Sequence, residues 1–257
     1  MSRMIPVLSL RTALTVLLLL FVPLTGHAAK KKRPLSLEVF PSSSGLPLVT
    51  LSSSGVPLSE VAERLARKLG TTIDVSVAAR NFQVTTELDQ QPLDLTLREL
   101  APQAYVDGIL SGGTGKTEIL TIHLRTAGEA APPLAELEKR SSETIMFFGH
   151  TEDPSIDPVE GQLKVTLRND RVRVFAKGQP LSVVVARIAD VLRIPFELNG
   201  DSREVIDVAA ADATLEQVMS ALTPSVKLYL RRDLATFRTT PVRLVLQEPF
   251  RPATREP

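Results

Sequence analysis

Gly178-Gln179-Pro180-Leu181-Ser182 repeats the pattern of Gly55-Val56-Pro57-Leu58-Ser59, and each stretch opens a run of regularly spaced apolar residues. After Pro57 these fall at Leu58, Val61, Ala62, Leu65, Ala66 and Leu69. After Pro180 they fall at Leu181, Val184, Val185, Ile188, Ala189 and Leu192. Both runs have the 3.6-residue period of one buried helix face, and Glu60, Glu63, Arg64, Arg67 and Lys68 are left for the wet face of the first. Gly70 then stands where a helix stops. Two helices with the same entrance and the same stripe make the chain a two-copy tandem.

The flanks repeat with them. Leu35 to Val39 and Leu46 to Leu51 read as a strand pair around Pro41-Ser42-Ser43-Ser44-Gly45, and Leu163 to Leu167 and Arg171 to Phe175 read as another around Asn169-Asp170. Thr71 to Val77 and Phe82 to Leu88 follow the first helix as strands. Leu93 to Leu100 is a second helix between Pro92 and Pro102, and Tyr105 to Leu110 with Glu118 to Leu124 close the copy. Thr214-Leu215-Glu216, Met219, Leu222, Pro224, Leu244 and Leu246 stand in the second copy where Pro92-Leu93-Asp94, Leu97, Leu100, Pro102, Ile122 and Leu124 stand in the first. The expectation is an α+β fold of two tandem βαββαββ-type domains, each with two helices packed on small, mostly antiparallel sheets. The first covers residues 35–126 and the second 160–248. A linker rich in alanine, proline and serine spans 127–159, with a short helix at Leu134 to Arg140 and an apolar Ile145-Met146-Phe147-Phe148 that packs on a domain, and a tail spans 249–257.

Residues 1–28 read as a secretory signal peptide. Arg3 and Arg11 supply a basic start, Ala13 to Leu24 an apolar run interrupted by Pro23, and Gly26-His27-Ala28 small residues for cleavage after Ala28. The run is too short to span a membrane, so the mature form is expected to have no integral span and to be periplasmic or secreted. Its removal takes two of the 30 Lys and Arg and none of the 29 Asp and Glu, leaving 28 basic against 29 acidic residues. That balance gives no footprint for nucleic acid. The chain has no cysteine, which excludes disulfides, thiolate metal sites and cysteine nucleophiles. Lys30-Lys31-Lys32-Arg33 reads as a solvated tail, with an anionic membrane surface as the alternative.

Chemistry is thinly supplied. The serine clusters at Ser42 to Ser44 and Ser52 to Ser54 lack a nucleophile elbow and read as turns. Ser111-Gly112-Gly113-Thr114-Gly115-Lys116-Thr117 is like a phosphate-binding loop, but Leu110 stands where that motif needs glycine, and a strand pattern follows where a helix should. His123, between Ile122 and Leu124, reads as a satisfied strand histidine. His150 is the other histidine left after processing. Glu152-Asp153 and Asp157 to Glu160 read as solvated loop, with a weak calcium site as the alternative. No catalytic residue, cofactor or metal site is expected.

The order of strand, G-x-P-L-S helix, two strands, T-L-E-type helix and closing strands resembles the short N-terminal domain shared by secretins and TonB-dependent transducers. The residues that carry the resemblance are Gly178 to Ser182, Ile206, Val208, Thr214 to Leu222 and Val226-Lys227-Leu228-Tyr229, with a fainter match in the first copy. The resemblance implies a periplasmic protein–protein interaction module whose partner is an envelope protein: a secretin, a TonB-dependent receptor or a regulator. No barrel, plug or ring-forming region follows before Pro257, so an adaptor is expected; a cell-wall glycan or small-ligand binding protein is the alternative. The closing strand Val242, Arg243, Leu244, Val245 and Leu246, between Pro241 and Pro249, is the candidate docking edge, where a partner strand would add.

Overall fold

A computed structural model describes residues 35–42, 46–134, 137, 144–145, 163–199 and 204–247. The segment expected to be a signal peptide, with Ala28, and also Lys30 to Arg33, His150, the acidic residues at 152–160 and residues 248–257 lie outside the described residues, as does most of the helix expected at Leu134 to Arg140. Among the described residues no helix is long and apolar enough to cross a membrane.

The fold is α+β and dominated by strands. Residues 35–125 run β1 (Leu35–Phe40), β2 (Leu48–Pro57), α1 (Leu58–Leu69), β3 (Thr72–Val75), β4 (Gln83–Pro92), α2 (Leu93–Leu100), β5 (Gln103–Ser111) and β6 (Thr117–Arg125). A short β7 (Thr144–Ile145) precedes β8 (Leu163–Arg168), β9 (Arg171–Pro180), α3 (Leu181–Leu192), β10 (Phe196–Asn199), β11 (Val205–Ala213), α4 (Leu215–Ser220), β12 (Val226–Asp233) and β13 (Thr239–Gln247).

Both glycine-proline stretches do open helices. Pro57 and Pro180 sit at the N-cap without a side-chain cap. The first free amides bond instead to a neighbouring backbone: Leu58 N donates to Phe82 O at 2.7 Å and Leu181 N to Glu204 O at 2.7 Å. Those bonds satisfy groups that a helix start leaves without intrahelical partners. Gly70 closes α1 in the left-handed conformation. Helix α4 uses a different device, a capping box in which Thr214 and Gln217 satisfy each other's amides. The β8–β9 hairpin turns on Asn169 and Asp170, both with positive φ, as a two-residue turn with the strand twist requires.

The strands form three sheets: β1-β2-β4, β11-β9-β8 and a seven-stranded β3-β6-β5-β12-β13-β10-β7. Helices α1 and α2 bury Leu58, Val61, Leu65, Leu93 and Leu97 between the first small sheet and the β3-β6-β5 part of the large one. Helices α3 and α4 bury Leu181, Val184, Ile188, Val218 and Met219 between β11-β9-β8 and the β12-β13-β10 part. The sheets are therefore not confined to one half each. Strands β5 and β12 pair antiparallel from Tyr105↔Asp233 to Ser111↔Lys227 and make one sheet of the two halves.

The halves also exchange hairpin ends. Leu110, at the end of β5, is buried in the core around α3 and α4, and Leu234, just past β12, is buried in the core around α1 and α2. The loop resembling a phosphate site serves this exchange. Gly112 N donates to Val226 O at 2.8 Å and Gly113 N to Met219 O at 3.1 Å, which seats the loop against the end of α4. A Cβ on Gly112 would lie 2.0 Å from Thr223 O, a separation no side chain tolerates, so glycine is there for close approach of two backbones. Gly112→Ala is expected to destabilise by about 1–3 kcal/mol or more, because the obstacle is backbone and the hairpin end must lift away. A thermal melt checks this, and an unchanged midpoint would mean that the loop does not dock on α4.

Candidate functional site

The large sheet presents one face to the helices and carries ionisable side chains on the other. Alternation along the strands decides which residues face away from the helices. In β5, Ala104 and Val106 join the core, so Tyr105 and Asp107 face away; in β6, Ile122 and Leu124 join the core, so His123 and Arg125 face away. In β12, Leu228 and Leu230 are core residues, which puts Tyr229 and Arg231 on that same face away from the helices. Asp74 in β3 stands opposite His123, and Arg231 opposite Asp107.

Asp107, only 3% exposed, is the centre of the array. Arg231 donates to its two oxygens from Nε at 2.5 Å and Nη2 at 2.6 Å, a bidentate pair across the junction of the halves. His123 Nε2 lies 3.0 Å from Asp107 Oδ2, and its Nδ1 lies 3.4 Å from Asp74 Oδ2. Arg125 pairs with the Asp74 carboxylate and donates to Asp74 O at 3.1 Å. The remaining donors of Arg231 reach the segment after β6, bonding Pro132 O and, at 3.5 Å, Pro133 O. Glu129 anchors the same segment by accepting from Ser76 Oγ at 2.8 Å and Thr126 N at 2.9 Å. Further along the face, Arg243 donates to Glu197 at 2.9 Å and stacks 3.9 Å above the Tyr229 ring.

Burial pushes the Asp107 carboxyl up, but the hydrogen bonds and charges of Arg231 and His123 outweigh it and hold the group below the usual carboxylate range. Asp74 is lowered in the same way: burial raises it, and Arg125 and His123 more than reverse that. A depressed folded-state value means that these groups stabilise the fold above the ordinary carboxylate pKa and lose that contribution as pH falls through the folded one. The melting midpoint is therefore expected to drop below about pH 4, and Asp107→Asn should flatten the drop. A profile equally steep in the variant would place the acid-sensitive groups elsewhere.

The edge expected at Val242, Arg243, Leu244, Val245 and Leu246 is covered over its last three residues. Strand β13 lies beside antiparallel β12, and Leu244, Val245 and Leu246 also pair with parallel β10, Phe196 in register with Leu244 and Leu198 with Leu246, whereas no β10 residue stands in register with Val242 or Arg243. All five are buried. Pro241 is accommodated opposite Leu230, beside an irregularity in the β12–β13 ladder. Among the described residues the edge strands are β3 and β7 in the large sheet and β1, β4, β8 and β11 in the small ones. His123 is a strand histidine with partners, as its place between Ile122 and Leu124 indicates. Its carboxylate neighbours, from strands β3 and β5, have no signal near it in sequence. The short β7 pairs antiparallel with β10, Ile145 in register with Phe196.

Among the described residues no group of three or more His, Cys, Asp and Glu is arranged to hold a metal ion, and Arg125 and Arg231 balance the carboxylates around His123. A small apolar slot under α2, of about 20 Å³, is walled by Leu93, Leu97, Val106, Ile119 and Leu230, with Asp94 and Arg232 also lining it. That volume is about what one water needs. Comparison with family models, with curated proteins and with solved structures finds no match to the chain.

Proposed function

We propose that this chain is a non-catalytic interaction module of the cell envelope, exported by its N-terminal segment and built from two tandem βαββαββ-type units over residues 35–126 and 160–248. The observation that carries this reading is the state of its ionisable groups. Both ring nitrogens of His123 face carboxylates, and both oxygens of Asp107 accept from Arg231. A histidine engaged at both nitrogens has none to offer as a base to a nucleophile, and a doubly paired carboxylate is a poor proton acceptor. Such groups hold two halves rigid, which suits a scaffold that presents surfaces to a partner. The equal order of elements in the two halves supports the tandem reading, and with it the likeness to the short N-terminal domain of secretins and TonB-dependent transducers. The partner is then an envelope protein of a secretion or TonB-type system.

Export and partner are tested together. The full chain, expressed in a Gram-negative host, should appear in the periplasmic fraction with its N-terminus at Ala29. Pull-down from envelope extracts should recover a secretin, a TonB-dependent receptor or a regulator of one. An unprocessed cytoplasmic protein would overturn the envelope reading, and hydrolysis of cell-wall glycan by the purified chain would overturn the non-catalytic one.

A further inference from the structure

The outer faces of the two small sheets carry opposite charge. In β11-β9-β8 the apolar alternation turns Val165, Val172, Val174 and Ala176 to the core, so Arg171 and Arg173 of β9 face outward and are exposed, with Arg168 of β8 in register with Arg171. Like charges directly opposite on neighbouring strands repel, so this face favours a counter-charge from outside. Of the charged residues in β8, β9 and β11, the exposed ones are Arg168, Arg171, Arg173 and Lys177 against Asp207 and Asp212, while Lys164 is buried.

The corresponding strands of the first half hold the reverse. Strands β1, β2 and β4 contain Glu38, Glu87 and Asp89 and no Lys or Arg. All three acids are exposed, and they face away from the core that takes Val49, Leu51 and Val84. Phe40, exposed at the end of β1, gives the acidic face an aromatic, and Phe175 continues the Arg171–Arg173 row on the basic one.

Both small sheets cover the helix-bearing face of the same central sheet, one over each half. From this placement we propose that a second copy of the chain docks there, turned over so that each acidic face meets a basic one. The contact is self-complementary, as a two-fold dimer requires, because each chain supplies one face of each sign. Charge supplies most of the attraction and charges at a surface are screened by salt, so the dimer is transient and salt-sensitive.

Sedimentation of the full chain tests this. The apparent mass is expected to rise toward that of a dimer with concentration at low salt and to return to the monomer as salt is added. Arg171→Glu/Arg173→Glu and, separately, Glu87→Lys/Asp89→Lys should each be monomeric, and mixing the two variants should restore a 1:1 complex. Circular dichroism and melting of each variant establish that it is folded. A wild-type chain that stays monomeric at low salt would overturn the proposal, and so would a dimer indifferent to both reversals. A monomer that binds phosphatidylglycerol vesicles through the same arginines would overturn it in favour of an anionic membrane surface.

Discussion

Arg231→Ala is expected to cost about 3–5 kcal/mol of folding stability, since it breaks a buried ion pair from one side. Asp107 would keep its charge at 3% exposure with His123 as its remaining side-chain partner, and the carbonyls of Pro132 and Pro133 would lose their donor. The cost exceeds that of a surface pair because the carboxylate cannot recover its water. Net attraction is not the larger part of the loss. Replacing both partners, Asp107→Leu with Arg231→Leu, should recover much of it, because an apolar pair of similar size leaves no orphaned charge. Chemical denaturation of the two single variants and the double variant gives the coupling. If the single changes cost no more than an exposed pair, below about 1 kcal/mol, the cluster does not hold the halves together.

Leu65→Ala and Ile188→Ala should each cost about 2–5 kcal/mol. Leu65 is fully buried in the middle of α1 and Ile188 is 1% exposed in the middle of α3. Each side chain lies between a small sheet and the large one, so neighbours on two sides must move to close the space left. Removing it loses both the transfer free energy and the contacts along the cavity wall. Thermal and denaturant melts are the readout, and a loss below about 1 kcal/mol would mean that the site collapses around the smaller residue.

The helices were legible because their signal is local. The stripe from Leu58 to Leu69 and its repeat from Leu181 to Leu192 are the two long helices to the residue, and Leu93 to Leu100 is α2. Many strand positions were legible for the same reason, but Ser52 to Ser54, which read as a turn, lie within β2 (Leu48–Pro57). What local pattern does not carry is which strand lies beside which. Val242 to Leu246 reads as a closing strand with open chain after it. The strand that pairs with its last residues, Phe196–Asn199, stands 48 residues earlier in register (Phe196 with Leu244) and pairs parallel, so no turn announces the contact. The joining of β5 to β12 is hidden in the same way: Asp107 and Arg231 are separated by 124 residues, and neither has a neighbour in sequence that marks it as paired. Even the glycines at 112 and 113, which look like a phosphate site by composition, take their meaning from Thr223 and Pro224 in the other half.

Native-state hydrogen exchange on the full chain tests most directly whether the two halves form one cooperative sheet. The β5 and β12 amides that bond across the junction are predicted to be among the slowest in the protein and to exchange through the same opening as the cores around α1 and α3. Early exchange of those amides, with both cores still protected, would contradict it, because it would mean that the halves part while each stays folded.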